Sequence, residues 1–252
     1  MSAFEAILVV GVGFFAGSIN TIVGSGSLLT FPTLLAIGYS PVVANVSNTV
    51  GLVFGSVSGA VGYRRELRGQ RHRILVLGTG SLTGGMLGAV LLLTLPSSVF
   101  DGVVPILILI ACALVIVQSR LSAAVASRRT KVVEHGGVAL WVLVFVTGIY
   151  GGYFGAAQGV ILLSLLGIFI AEDLQRLNGV KNVLAVIANG VAAVVFVVAA
   201  DVEWEVAALI ALGSIAGGQF GAKVGRRLPA PVLRAVIVVV GVAAAIKLLA
   251  DL

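Results

Sequence analysis

Six stretches of this chain, at about 41–63, 74–95, 99–119, 178–200, 206–226 and 230–250, are apolar over the length of a membrane crossing. A helix rises 1.5 Å per residue, so about 20 apolar residues span the roughly 30 Å hydrocarbon core of a bilayer. In water, that many helices without a polar face would have nowhere to hide. The chain therefore reads as a polytopic, all-α membrane protein. Composition agrees: 10% of residues are charged and 59% are hydrophobic, where a soluble domain carries about 25% charged residues. The 33 glycines suit helices that approach closely in lipid.

Two glycine-rich regions, 4–38 and 137–171, are each too long for one crossing and are interrupted near the middle. Each is expected to form two segments, with a break between them. The segment 28–37 is short and contains Pro32, which predicts a half-helix. Met1 to Glu5 lack the basic residues that open a cleaved signal, so the apolar run that follows is expected to be a retained helix.

Compared with itself at an offset of 133–135 residues, the chain shows an internal repeat. Gly80, Ser81, Gly84, Gly85, Gly88 and Ala89 recur as Gly213, Ser214, Gly217, Gly218, Gly221 and Ala222, and Pro96 falls on Pro229. Weaker matches set Gly13 and Gly17 over Gly148 and Gly152, Gly24 over Gly159, and Asn48 over Asn182. The division that follows is a first repeat at 1–119, a cytoplasmic linker at 120–136 and a second repeat at 137–252, each repeat with about five helical segments.

The charges invert between the halves. Arg64, Arg65, Arg68, Arg71 and Arg73 follow the third segment of the first half, and the matching loop of the second half carries Asp201, Glu203 and Glu205. The loop after the fourth segment has no charge in the first half, and Lys223, Arg226 and Arg227 in the second. Basic residues of short loops stay on the cytoplasmic side. Five segments per half, with both termini outside, put every Lys and Arg except Lys247 on that side. The expected fold is thus two inverted-topology repeats with broken or half helices at the centre. Many secondary transporters share this plan and bind solute near the midplane, where the repeats meet.

The breaks read Asn20-Thr-Ile-Val-Gly-Ser-Gly-Ser27 and Tyr153-Phe-Gly-Ala-Ala-Gln-Gly159. Gly24, Gly26, Gly155 and Gly159 are the helix-break glycines. They free backbone groups, and a helix that starts at such a break presents N–H groups and partial positive charge, which suits an anion. The alternative for any one glycine is close helix packing, and packing is the stronger reading for the every-fourth-residue series at Gly80, Gly84 and Gly88 and at Gly213, Gly217 and Gly221. The segments that follow add Asn45, Ser47, Asn48 and Thr49 in one half and Asn178, Lys181, Asn182 and Asn189 in the other; with the polar side chains at the breaks, the candidate contacts are Asn20, Ser25, Ser27, Asn48, Gln158, Lys181, Asn182 and Asn189. Lys181 is the costly one, at about 2.5–3.5 kcal/mol for a cation at bilayer depth. Two readings stay open: contact with an anion, or snorkelling to the interface beside Glu172, Asp173 and Arg176.

Cys112 lies in an apolar run and reads as a packed thiol, and His72 and His135 read as solvated loop residues. No Asp, Glu or His lies deep in a confident span, and no HExxH, GxSxG or P-loop pattern occurs. The expectation is a non-enzyme with no cofactor and no metal. The net charge of +6 is explained by orientation, not by nucleic acid.

The stretch GFFAGSINTIVGSGSLLTFPTLLAIGYSPVVANVSN at 13–48, the basic loop after it, and LNGVKNVLAVIANGVAAVVF at 177–196 resemble the TauE/SafE family of membrane transporters over nearly the whole chain. The resemblance implies a small anionic substrate, such as sulfite, an organosulfonate or another sulfur-containing or organic anion. One departure is that Ser25 and Ser27 interrupt the family's usual run of glycines at the first break; their hydroxyls can donate to oxyanions. The resulting expectation is a multi-pass protein of the plasma membrane, a secondary transporter or facilitator that exposes a midplane site alternately to the two sides. A channel-like or neutral-solute facilitator and a non-transporting scaffold are the alternatives, and a homodimer is left open.

Overall fold

The computed structural model describes residues 1–127, 136–224 and 230–250. Among these, the regular elements are ten helices: α1 (Ala3–Ile22), α2 (Ser27–Ile37), α3 (Pro41–Gly62), α4 (Arg71–Thr94), α5 (Ser97–Ser127), α6 (Gly137–Tyr153), α7 (Gln158–Phe169), α8 (Leu174–Ala199), α9 (Trp204–Val224) and α10 (Ala230–Ala250). Residues 120–127, read above as the start of the linker, continue α5 as helix. Arg128, Arg129, Lys131, His135, Arg226, Arg227 and Pro229 lie outside the described residues.

Local chemistry sets several helix ends. Ser2 and Glu5 form a capping box at α1, with Ser2 Oγ accepting from Glu5 N at 3.3 Å and Glu5 Oε2 from Ser2 N at 2.7 Å. Asp173 caps α8 by accepting from Gln175 N at 2.9 Å. Gly38, at φ +108°, ends α2 in the left-handed region.

Among the described residues, six helices are long and apolar enough to cross a membrane: α1, α3, α4, α8, α9 and the Ser97–Val117 part of α5. Phe4, Phe15, Val138, Val198, Trp204, Val239 and Ile246 are exposed on the outer surface, which in a bilayer is the lipid-facing surface. At 1.5 Å per residue, α2 is about 17 Å and α7 about 18 Å long, too short to cross alone.

The helices pack in matching pairs. α1 lies on α9 as α6 lies on α4; α3 lies on α9 as α8 lies on α4; α2 meets α10 as α7 meets α5; and α3 meets α8. The repeated glycines make this possible. A Cβ on Gly84 or Gly88 would stand 2.2 Å from Phe145 O or 2.0 Å from Ile149 O, and one on Gly217 would stand 1.9 Å from Phe14 O. Only glycine allows backbones that close, so the packing reading of both glycine series is correct.

The same contacts correct the register of the weaker sequence matches. Gly84 meets Phe145 O as Gly217 meets Phe14 O, and Gly148 meets Ser81 O as Gly17 meets Ser214 O. Gly17 therefore corresponds to Gly148, one helical turn from the Gly152 that the sequence comparison gave it. In the same way Gly85 meets Ala188 O as Gly218 meets Gly55 O, which places Lys181, and not Asn182, at the position equivalent to Asn48.

α3 and α8 run antiparallel. At one end Tyr63 OH receives a hydrogen bond from Asn178 Nδ2 at 2.9 Å and donates to Gln175 Oε1 at 3.3 Å; at the other, Glu203 N donates to Ser47 Oγ at 2.9 Å. The first end also gathers the loop before α4 and the start of α8: Glu172 pairs with Arg73 at 3.7 Å and Arg176 at 3.0 Å, and Arg176 Nη2 donates to Arg68 O at 3.1 Å.

Candidate functional site

The two breaks are built alike. After α1, the N–H groups of Val23 and Gly24 both turn back to Ile19 O, at 2.7 and 3.0 Å; after α6, those of Phe154 and Gly155 turn back to Tyr150 O, at 2.9 and 3.0 Å. The turn needs a left-handed residue at its end, and Gly24 (φ +90°) and Gly155 (φ +76°) provide it. Ala157 is also left-handed, at φ +58°, immediately before α7. The other two break glycines have a different task. Gly26 has ordinary helical φ and lies against Ala16 O, while Gly159 belongs to the first turn of α7.

Gly159 meets Gly24. Its N–H donates to Gly24 O at 3.1 Å, and a Cβ on Gly24 would stand 2.3 Å from Gly159 Cα. The breaks of the two halves are thus in direct backbone contact.

Beside this contact is a polar cavity of about 20 Å³, lined among others by Asn20, Ser27, Thr49, Gln158, Gly159 and Asn189, with room for about one water. The starts of α2 and α7 both face it, through Ser27 and Gln158. Gln158 is 2% exposed, and neither its amide nitrogen nor its amide oxygen has a hydrogen-bond partner. A buried amide left so costs about 1–3 kcal/mol.

The helix ends that carry free carbonyls are covered by donors. Lys181 Nζ donates to Asn20 O and to Thr21 O, both at 3.1 Å, and the amides of Asn178 and Asn182 reach Thr21 O at 3.3 Å. In the other half Asn45 Nδ2 donates to Tyr153 O at 3.0 Å. A cation at a helix C-terminus is favourable, and Lys181 is fully buried there, so it does not snorkel. Its Cδ passes 3.2 Å from where a Gly159 Cβ would lie. Lys181 therefore touches two residues of the lining, Asn20 and Gly159, without itself lining the cavity.

Of the eight candidate contacts read from the sequence, Asn20, Ser27, Gln158 and Asn189 come together at the cavity. Asn182 and Lys181 stand behind it at the end of α1. Asn48 is fully buried and binds α2, with its amide donating to Ser27 Oγ at 3.3 Å and its carbonyl accepting from Thr30 Oγ1. Ser25 is buried with an unpartnered hydroxyl, outside the lining. Thr49, named among the polar groups of the segment after the first break but not among the candidate contacts, also lines the cavity, and Ser56, absent from the sequence reading, accepts from Asn20 Nδ2 at 2.9 Å through its Oγ. Ser56 follows Asn45 and Thr49 at helical spacing along one face of α3, the signal that would have found it.

Packed helices, two of them too short to cross, whose breaks meet beside a small polar cavity define a multi-pass membrane protein. The chain belongs to the sulfite exporter TauE/SafE family of membrane transporters, whose model matches residues 9–248. It is similar to "Probable membrane transporter protein ORF9" of a Sinorhizobium species, 29% identical over 94% of this chain and 90% of that protein. It is also similar to a "Probable membrane transporter protein" of Haemophilus influenzae, 25% identical over 95% of this chain and 92% of the relative. The Escherichia coli "Probable membrane transporter protein YfcA" is 26% identical over 97% of this chain and 91% of its own length. No solved structure matches the chain.

Proposed function

We propose that this transporter moves a small oxyanion, sulfite or an organosulfonate, through the cavity between the two breaks, without chemical conversion. Gln158 carries the reading: its two unpartnered amide atoms, buried at the start of α7, await a polar solute. Electrostatics supports an anion. The cavity is lined by no carboxylate, it faces the N–H ends of α2 and α7, and the carbonyl end of α1 is covered by the Lys181 ammonium. In this reading Asn20, Ser27, Gln158 and Asn189 contact the anion and Ser25 joins them as the breaks part. Asn48, Lys181 and Asn182 hold α1 and α2 in place, with Lys181 adding positive potential.

The halves, at 1–119 and 137–252, are read as inverted repeats, in keeping with the antiparallel α3 and α8 and with the matching helix pairs. A one-water cavity is too small for sulfite, so the site is closed here, and exchange requires the halves to rock about the Gly24–Gly159 contact. Phe154, which lines the cavity and stacks edge-on against Phe31 at 5.2 Å, closes it towards α2. The basic loops face the cytoplasm and both termini face outward.

The test is flux in proteoliposomes. The wild-type chain should take up sulfite or sulfoacetate saturably and show counterflow, and Gln158→Leu should lose both. Saturable uptake of neutral solutes with none of anions would contradict the reading.

A further inference from the structure

A second cavity, of about 320 Å³, lies between α2, α3, α5 and α10, lined by Pro32, Leu35, Tyr39, Asp101, Lys247 and Leu248 among others. This is the size of a small-molecule site, roughly 300–1,000 Å³, and it is separate from the cavity at the breaks. Two of its side chains are charged. Asp101 Oδ1 is buried and accepts no hydrogen bond, the arrangement a buried carboxylate tolerates least. Lys247 is the one Lys or Arg that the loop-charge bias leaves on the side away from the basic loops, and its exposed chain reaches the same cavity. Neither forms an ion pair among the described residues. Apart from Tyr39, the rest of the lining is proline, leucine and alanine.

A carboxylate oxygen lacking a donor and an ammonium lacking an anion, in one cavity of largely apolar lining, complement a ligand with the opposite ends. We infer that this cavity binds a primary-amine zwitterion, a phosphoethanolamine group, with its ammonium on Asp101 and its phosphate on Lys247. The primary ammonium supplies the N–H donors that Asp101 Oδ1 lacks, and charge-assisted bonds of this kind are about twice as strong as neutral ones. The group can arrive as a free soluble zwitterion or as the headgroup of phosphatidylethanolamine, whose chains would follow the lipid-facing surface of α10. The inference goes beyond the anion reading and does not depend on it.

The test is thermal unfolding of the purified full chain in dodecyl maltoside, titrated with soluble phosphoethanolamine and, separately, with phosphatidylethanolamine. Phosphatidylcholine, which has no ammonium N–H, and phosphatidylglycerol, which has no ammonium, serve as controls. A saturable rise in Tm with phosphatidylethanolamine alone assigns the site to the lipid headgroup, and a rise with both assigns it to the zwitterion from either source. Asp101→Asn and Lys247→Gln should each weaken the response at least about tenfold; Lys247 is exposed, so its variant keeps the fold even where the other does not. No saturable response, an equal response to the control lipids, or an unchanged response in Lys247→Gln would overturn the inference.

Discussion

Gly159 N donates a hydrogen bond to Gly24 O at 3.1 Å, joining the break after α1 to the first turn of α7. No side chain fits between the two: a Cβ on Gly24 would lie 2.3 Å from Gly159 Cα, and Gly24 is left-handed as well. Gly24→Ala therefore meets both strain and a clash with backbone, costing about 1–3 kcal/mol for each. Its melting temperature should fall by several degrees and its anion flux should be lost. A variant that melts and transports like wild type would show that the breaks do not need to touch.

Lys181 separates structural from direct roles. Its ammonium holds Asn20 O and Thr21 O, so Lys181→Met leaves Asn20 O without this buried donor, at about 1–3 kcal/mol. Lys181→Arg keeps the charge but is bulkier and not equivalent. Stability should rank wild type, then Arg, then Met, with apparent sulfite affinity falling in the same order. Full stability in Lys181→Met combined with lost flux would instead assign the lysine to the solute.

Gln158 should behave in the opposite way. Its amide atoms have no partner in the closed state, so Gln158→Leu removes an unfavourable burial and should leave thermal stability unchanged or raise it by up to about 1–2 kcal/mol. Sulfite-dependent stabilisation should disappear in the same protein. If Gln158→Leu melts lower and still responds to sulfite, the glutamine serves the fold and not the site.

Gly217 sets the approach of α9 to α1, where a Cβ would stand 1.9 Å from Phe14 O. Gly217→Ala should push the helices apart at about 1–3 kcal/mol, read as a lower melting temperature in detergent. Gly190→Ala, at a glycine with nothing within 4 Å of an added Cβ, is the control and should be neutral or slightly stabilising.

The helices were legible because apolar length is decided locally: each crossing announces itself within its own residues. The breaks were legible for the same reason, since Gly24 and Gly155 sit between apolar runs and each takes a backbone angle that favours glycine. Register within the repeat was not. Glycines every fourth residue match themselves equally well after a shift of one turn, so sequence alone aligns Gly17 with Gly152, whereas its packing against Ser214 O matches that of Gly148 against Ser81 O. The role of Lys181 was also hidden, because its partners are backbone carbonyls of α1 that no side-chain pattern records. Ser56 escapes a sequence reading because hydroxyls in a helix ordinarily satisfy themselves on the preceding turn, as this one does at Leu52 O.

That the halves lie in opposite senses across the bilayer can be checked by cysteine labelling from each side of intact cells or sealed vesicles. In a Cys112→Ala background, Arg65→Cys and Lys223→Cys, both exposed positions, should react with a membrane-impermeant maleimide from the cytoplasmic face. Ser98→Cys and Asp201→Cys, also exposed, should react from the other face. Labelling that placed positions 65 and 223 on different faces would contradict the inverted arrangement and, with it, the meeting of the two breaks at a single site.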